Sequence, residues 1–298
     1  MRNQCLPDRQ LGVQRRSLED VTPLLPARTY TCPTANGAVY HHGAHVIDWT
    51  PAGFDPVLWM SEKTHLDSES PIRGGIPICW PWFGAGRNGT ASPLHGFARL
   101  AEWRLVRSNQ TDDAATATYM LIDACPDKFD FPYRLTYEVS FGAEFSAMLT
   151  VRNTGTRRFS FEEALHTYFC VGDIHQVSVT GLDSSQYLDR VSGHELGPHQ
   201  QSGDLRITEE VDRIYHSGAG IEVIDPADGR KITMSRVGSS DAVVWNPWID
   251  KAKSMPDFGD DEWRSMICVE TANVGEHAVT LLPGKEYVMG FTLRVSTL

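Results

Sequence analysis

The sequence predicts an all-β protein of the sandwich or barrel type, and three observations carry that expectation. Apolar and polar residues alternate in several runs of strand length. Helical periodicity is scarce. Gly (25) and Pro (17) interrupt the chain too often for long helical repeats to survive. Many short strands separated by turn signals mark a sandwich or barrel rather than a βαβ fold.

Along the chain, residues 1–25 are charged and Gln-rich and are expected to form a loosely held N-terminal arm. No Ser/Gly tract, charge block or repeat marks a linker after it, so residues 26–298 are expected to be one domain. Ala38 to Ile47 and Val57 to Met60 are β-rich. His41 and His45 would share one face of the first of these strands, with His42 on the other. The clearest pattern follows later. Tyr133, Leu135, Tyr137, Val139 and Phe141 alternate with polar residues, and Phe145, Ala147, Leu149 and Val151 resume the alternation after Gly142-Ala143-Glu144. That is a β-hairpin with a Gly-bearing loop. Shorter β-rich pieces are Gln176 to Thr180, Ile221 to Ile224, Lys231 to Val237 and His277 to Leu282. Tyr287, Met289, Phe291, Leu293 and Val295 form a last alternating run. About twenty strands result.

A chain of 298 residues buries enough surface to fold without a disulfide or metal staple. With Lys plus Arg at 27 and Asp plus Glu at 38, the net charge is -11. Nucleic acid and anionic membranes are therefore poor partners, and an anionic ligand would need a few local cations. No window approaches the apolar length of a membrane span, and Met1 to Asp20 holds no apolar core of signal-peptide type. The six scattered cysteines contain no C-x-x-C pair, so reduced thiols and a cytoplasmic location are expected. The eight Trp suit a large β core or a sugar-facing pocket.

Four segments carry candidate chemistry. In Pro71 to Gly84, Arg73 precedes Gly74-Gly75, whose missing side chains let backbone and guanidinium reach a ligand together. In Pro93 to Arg99, His95 and Arg99 add an imidazole and a second cation, and an Arg pair is suited to phosphate oxygens. In Phe161 to Phe169, His166 would share a strand face with Ala164 and Tyr168 and can exchange protons near neutral pH. In Met266 to Asn273, Glu270 interrupts an apolar strand, where a carboxylate must be paired, solvated or functional. Smaller signals are Asp212 in Val211 to Tyr215, and Val243 to Trp248, where Trp245 could offer a ring to a sugar face and Asn246 an amide to its hydroxyls. His41, His42 and His45 invite a metal reading, but no matching Cys or carboxylate spacing follows, so no metal and no other cofactor is expected. No phosphate-binding Gly-rich loop or G-x-S-x-G elbow is present.

In order, R-G-G-I-P-x-x-W-P-x-F-G at Arg73 to Gly84, H-G-F-A-R at His95 to Arg99, A-L-H-T-Y-F at Ala164 to Phe169, D-R-x-Y at Asp212 to Tyr215, W-N-P-W at Trp245 to Trp248 and V-E-x-A-N at Val269 to Asn273 resemble the D-hexose-6-phosphate mutarotases. These are a branch of the aldose 1-epimerase (galactose mutarotase-like) superfamily. The resemblance runs from about Asn36 to the C-terminus and implies a β-supersandwich with few short helices. It implies His166 and Glu270 as the catalytic pair, Asp212 and Trp245 at the sugar, Arg73 and Arg99 on the 6-phosphate and His95 lining the pocket. A hexose 6-phosphate substrate and a monomeric enzyme are the expectations that follow. Such relatives often carry Gln before the His-Gly motif. Here the residue is Leu94, and any hydrogen bond from that side chain is lost. Interconverting anomers needs one base at the C1 hydroxyl and one acid at the ring oxygen, which Glu270 and protonated His166 would supply. A non-enzymatic sugar-phosphate binder on the same fold would keep the arginines without needing both His166 and Glu270.

Overall fold

The computed structural model describes residues 25–122, 125, 127–191 and 199–298. Except for Leu25, the expected arm lies outside the described residues. Among these are twenty-two strands, one α-helix at Trp248–Ser254 and three short 3-10 turns, so the all-β expectation with few short helices holds.

Alternation builds the larger sheet. Nine antiparallel strands run in the order Leu205–Arg206, Ser178–Thr180, Ile221–Asp225, Arg230–Val237, Glu286–Thr297, Glu144–Asn153, Tyr133–Gly142, Ala114–Leu121 and Trp103–Gln110. The expected hairpin lies within it, with Phe141 opposite Phe145 and Tyr137 opposite Leu149. Leu135, Tyr137, Val139 and Phe141 are buried while Arg134 and Glu138 are exposed, as a sheet with one dry face requires. A meander of Ala27–Cys32, Ala35–Tyr40 and His45–Pro51 packs on that dry face. Tyr30 stacks on Phe141 with ring centroids 5.1 Å apart, and Trp49 tilts against Phe145 at 5.6 Å. Gly37 permits the approach, because a Cβ there would overlap the Phe141 ring.

The second sheet has eight strands. Its order is His199–Gln200, Gln186–Asp189, Val211–His216, Asp241–Asn246, Met266–Asn273, Glu163–Leu165 and Ile78–Cys79, with Tyr168–Cys170 also paired to Met266–Asn273. Asp241–Asn246 and Met266–Asn273 are buried along their whole length. A strand buried on both faces is ordinarily apolar throughout. These two carry Asp241, Asn246, Glu270, Thr271 and Asn273 instead, and each of those groups needs a partner or a purpose.

Several local expectations are corrected. Val57 to Met60 forms only isolated bridges, from Leu58 to Phe169 and from Met60 to Gly74. His277 closes a 3-10 turn, Gly275–His277, and the following strand is Val279–Leu281. His41, His42 and His45 do not share a strand. Gly43 and Ala44 take left-handed backbone (φ 71° and 44°) and turn the chain between His42 and His45. Cys32, Cys79 and Cys268 are free thiols. Among the described residues no helix is long and apolar enough to cross a membrane.

Candidate active site

Register explains how His166 and Glu270 meet. Leu165 lies opposite Thr271, and Tyr168 lies opposite Cys268, on the strand Met266–Asn273. The same register puts His166 across from Glu270. The ladder lapses there because His166 turns its main-chain N–H to Pro77 O at 3.0 Å. Directly opposed residues project from the same sheet face, and His166 Nε2 comes to 3.3 Å from Glu270 Oε1. Tyr168 stacks on His166 with centroids 4.8 Å apart, and Trp245 closes the side with its ring centroid 6.2 Å from the imidazole.

Glu270 is 1% exposed and His166 9%. Glu270 Oε2 and His166 Nδ1 are both buried without a hydrogen-bond partner. An atom of this kind costs about 1–3 kcal/mol unless a ligand or water meets it. Burial pushes the Glu270 carboxyl well above its ordinary range. The nearby Asp212 charge adds to that, while Arg190 and Arg99 oppose it. Burial likewise drives His166 well below the usual imidazole value, helped by His95, Arg73 and Arg99. Burial thus disfavours charge on both partners.

Arg73 starts a loop whose shape depends on its glycines. Gly74 and Gly75 have φ of 116° and 59°, and a Cβ on Gly75 would strike Val46 O. His45 Nε2 meets Gly74 O at 2.7 Å, so this histidine braces the loop rather than joining His41 and His42 in a metal site. The Arg73 guanidinium forks onto Asp257 through Nε (3.1 Å) and Nη2 (3.3 Å to Oδ1), and Nη1 donates to the Tyr168 hydroxyl at 3.0 Å. Two of its five N–H bonds remain. Arg99 donates from Nη2 to Leu94 O at 2.8 Å, and its buried Nε has no partner. Leu94 itself is 57% exposed and contributes only that main-chain oxygen.

His95 sits at φ 64°. Its Nδ1 accepts from the Gly84 N–H at 3.4 Å, which places the ring proton on Nε2. Burial first, then Arg99, Arg190 and Arg73, push its pKa down to about 3, so His95 is a neutral donor. Asp212 reaches this region from the strand Val211–His216, its pKa raised by burial and held back by Arg190 and Lys251. All seven residues singled out in the sequence, Arg73, His95, Arg99, His166, Asp212, Trp245 and Glu270, thus fall in one neighbourhood. Asn246 does not join them. Its amide donates to Trp263 O and Met266 O, and its carbonyl receives Trp248 N–H, so it ties the loop after its strand.

Sequence reasoning missed two residues. Arg190 lies over the Phe83 ring at 5.4 Å and its main-chain N–H holds Asp212 O at 2.8 Å. Asp257 anchors Arg73 from the segment after the α-helix. Neither lies in a recognisable motif; their only signal is charge.

A separate cleft of about 240 Å³, lined in part by Trp82, Arg87, Ser160 and Glu162, has no comparable convergence. The Glu162 carboxylate there is taken by the N–H groups of Phe83 and Gly275.

The sequence profile of the aldose 1-epimerase family matches residues 35–294. This chain belongs to the aldose 1-epimerase family. Among its relatives, a protein of Cenchrus ciliaris named "Putative glucose-6-phosphate 1-epimerase" is 37% identical over 262 residues, covering 84% of this chain and 78% of that one. A protein of Escherichia coli strain K12 with the same name is 33% identical over 269 residues, covering 87% of this chain and 90% of the relative. The crystal structure of a "putative mutarotase" from Salmonella typhimurium superposes with a TM-score of 0.84 at 28% identity, covering 94% of this chain and 96% of the other. The fold is the galactose mutarotase-like one expected for an aldose 1-epimerase.

Proposed function

We propose that this aldose 1-epimerase interconverts the α and β anomers of a D-hexose 6-phosphate, glucose 6-phosphate foremost. The observation that carries the reading is the His166–Glu270 contact at 3.3 Å, with one unpartnered buried polar atom on each side, beside three arginines. The names of the relatives point to the same substrate.

A hemiacetal presents two oxygens on one carbon, so an acid and a base close together can each address one. When sugar and phosphate enter, the dianion offsets the positive field of Arg73 and Arg99 and favours the charged pair, with a carboxylate on Glu270 and the proton on His166. Glu270 then removes the proton of the C1 hydroxyl while the bond from C1 to the ring oxygen breaks. Its electron pair goes to the ring oxygen, which takes the proton of His166, and a C1 aldehyde results. Rotation about the bond from C1 to C2, followed by the reverse steps, gives the other anomer. Asp212 would bind sugar hydroxyls, Trp245 would cover the ring, and Arg73 and Arg99 would hold the phosphate, with His95 donating from Nε2. A sugar-phosphate binder would have no use for an unpartnered acid–base pair.

The test is direct. Freshly dissolved α-D-glucose 6-phosphate is followed by polarimetry or NMR with increasing protein. Equilibration proportional to protein supports the proposal, and a rate unchanged from the spontaneous one sinks it.

A further inference from the structure

A second group of chemistry-bearing side chains lies on the same sheet, and anomer exchange does not use it. His216 Nδ1 is 3.0 Å from Asp241 Oδ1, and His277 Nδ1 is 2.7 Å from the same oxygen. The three ligand atoms all lie within 4.8 Å of one another, the one such group of three found among the described residues. We propose that His216, Asp241 and His277 form a binding site for one divalent transition-metal ion.

The elements fix the three ligands independently of any ion. His216 ends the strand Val211–His216 and lies opposite Asp241, the first residue of Asp241–Asn246. His277 arrives on the 3-10 turn Gly275–His277, just past the strand that carries Glu270. The two imidazoles meet at 80° with centroids 5.2 Å apart, so they approach one carboxylate oxygen from different directions. Asp241 is fully buried, and its other oxygen receives the Val274 N–H at 3.0 Å. That bond orients the carboxylate in the way outer hydrogen bonds orient metal ligands. The imidazole side chains are 30% and 39% exposed, which leaves an ion a way in and room for a water ligand.

Donor chemistry selects the class of ion. Two ring nitrogens and one carboxylate oxygen suit zinc and its neighbours, whereas magnesium and calcium take all-oxygen sets. Zinc bonds of about 2.0–2.2 Å place tetrahedral ligands roughly 3.3 Å apart. The contacts at 3.0 and 2.7 Å would open by roughly 0.3 and 0.6 Å, and the two ring nitrogens, within 4.8 Å of each other, would converge on the ion. Coordination through Nδ1 requires each ring to carry its proton on the other nitrogen. Arg236 adjoins the site, but its donors go to the main-chain oxygens of Asp241, Ser217 and Ala219, not to the carboxylate. A bound ion would pin the turn after Met266–Asn273 to two neighbouring strands.

The full chain, dialysed against a chelator and then against metal-free buffer, is titrated with cobalt(II) by visible absorption and with zinc(II) by calorimetry. One ion per chain at micromolar concentration is expected, with a zinc-dependent rise in melting temperature. His216→Ala and His277→Ala should each weaken binding at least tenfold, and the double variant should lose saturable binding. Both side chains are partly exposed, and melting without metal verifies that the variants fold. His175→Ala, which removes the histidine of another His–Asp contact, at 2.8 Å, should bind as the parent does. No stoichiometric uptake by the parent, or equal uptake by the double variant, overturns the site.

Discussion

Replacing Arg99 by Met isolates the proposed phosphate grip more cleanly than any change at Arg73. Arg73 is fixed by Asp257 and the Tyr168 hydroxyl, so its removal leaves a partly buried anion alone beside the site. That anion would itself repel a phosphate. Arg99 makes one side-chain bond, to the Leu94 carbonyl, and its Nε is unpartnered, so Met replaces it without orphaning a charge. One charge-assisted hydrogen bond to phosphate contributes about 1.5–3 kcal/mol. At about 1.4 kcal/mol per decade, Arg99→Met should lower kcat/KM for glucose 6-phosphate by roughly 10- to 150-fold. Glucose, which lacks the phosphate, should show no comparable loss, and the weaker cationic field on His166 should favour its turnover. The assay is exchange NMR or coupled anomer-specific oxidation with the two substrates at matched concentrations. Equal losses on both would show that Arg99 shapes the site rather than reading the phosphate.

Other expectations follow from the same geometry. Glu270→Gln and His166→Ala should each lose on the order of 10²–10⁴-fold in turnover while remaining folded, measured against the spontaneous rate; near-normal turnover in either removes that residue from the mechanism. Glu270→Gln should also be more stable than the parent at neutral pH. The folded carboxyl is held well above its unfolded value, so the parent loses stability as pH rises past the unfolded pKa, whereas Gln does not titrate. Urea midpoints at pH 4 and pH 8 check this, and a gap that fails to widen with pH contradicts it. Arg99→Met should raise the pKa of the imidazole, because Arg99 is one of the cations that depress His166. NMR titration of the His166 ring should show the shift upward, and a downward shift would refute the stated cause. Gly75→Ala should destabilise by more than about 1 kcal/mol, since φ of 59° and the Val46 carbonyl both oppose a Cβ; chemical denaturation measures it.

The fold class was legible because alternation is a local signal. Tyr133 to Val151 shows its hairpin in the spacing alone, and the register followed. The second sheet was harder to read. Its central strands are buried on both faces, so Asp241–Asn246 and Met266–Asn273 show no alternation, and their polar residues resemble interruptions. Candidate residues inside dense motifs were visible: Arg73 beside two glycines, His95 and Arg99 four apart, and Glu270 in an apolar run. Arg190 and Asp257 were not, because an ordinary charged residue far away in sequence joins such a cluster only through the neighbour that folding gives it. The histidines show the same limit. His41, His42 and His45 are close in sequence but separated by a left-handed turn, while His216 and His277 converge on Asp241 from distant segments.

The electrostatics of the site bear on how phosphate recognition is distributed between binding and turnover. A chain of net charge -11 repels a dianion at long range, so attraction must come from the local arginines. Those same arginines disfavour a protonated His166, and burial disfavours it further. Burial likewise disfavours the charged form of Glu270, the proposed base. On the proposed assignment, a bound phosphate dianion cancels much of the arginine field and makes the proton transfer to His166 less costly. Free glucose occupies the same sugar site without that compensation. The phosphate then acts in two places: it tightens binding, and it supports the charged acid–base pair from which ring opening starts. An interaction of the first kind alone would change KM and leave kcat untouched. The present arrangement requires kcat for glucose 6-phosphate to exceed that for glucose as well, and added inorganic phosphate should raise turnover of glucose when it fills the arginine site. Identical kcat values for the two sugars, with all discrimination in KM, would mean that the arginines hold the phosphate without influencing His166.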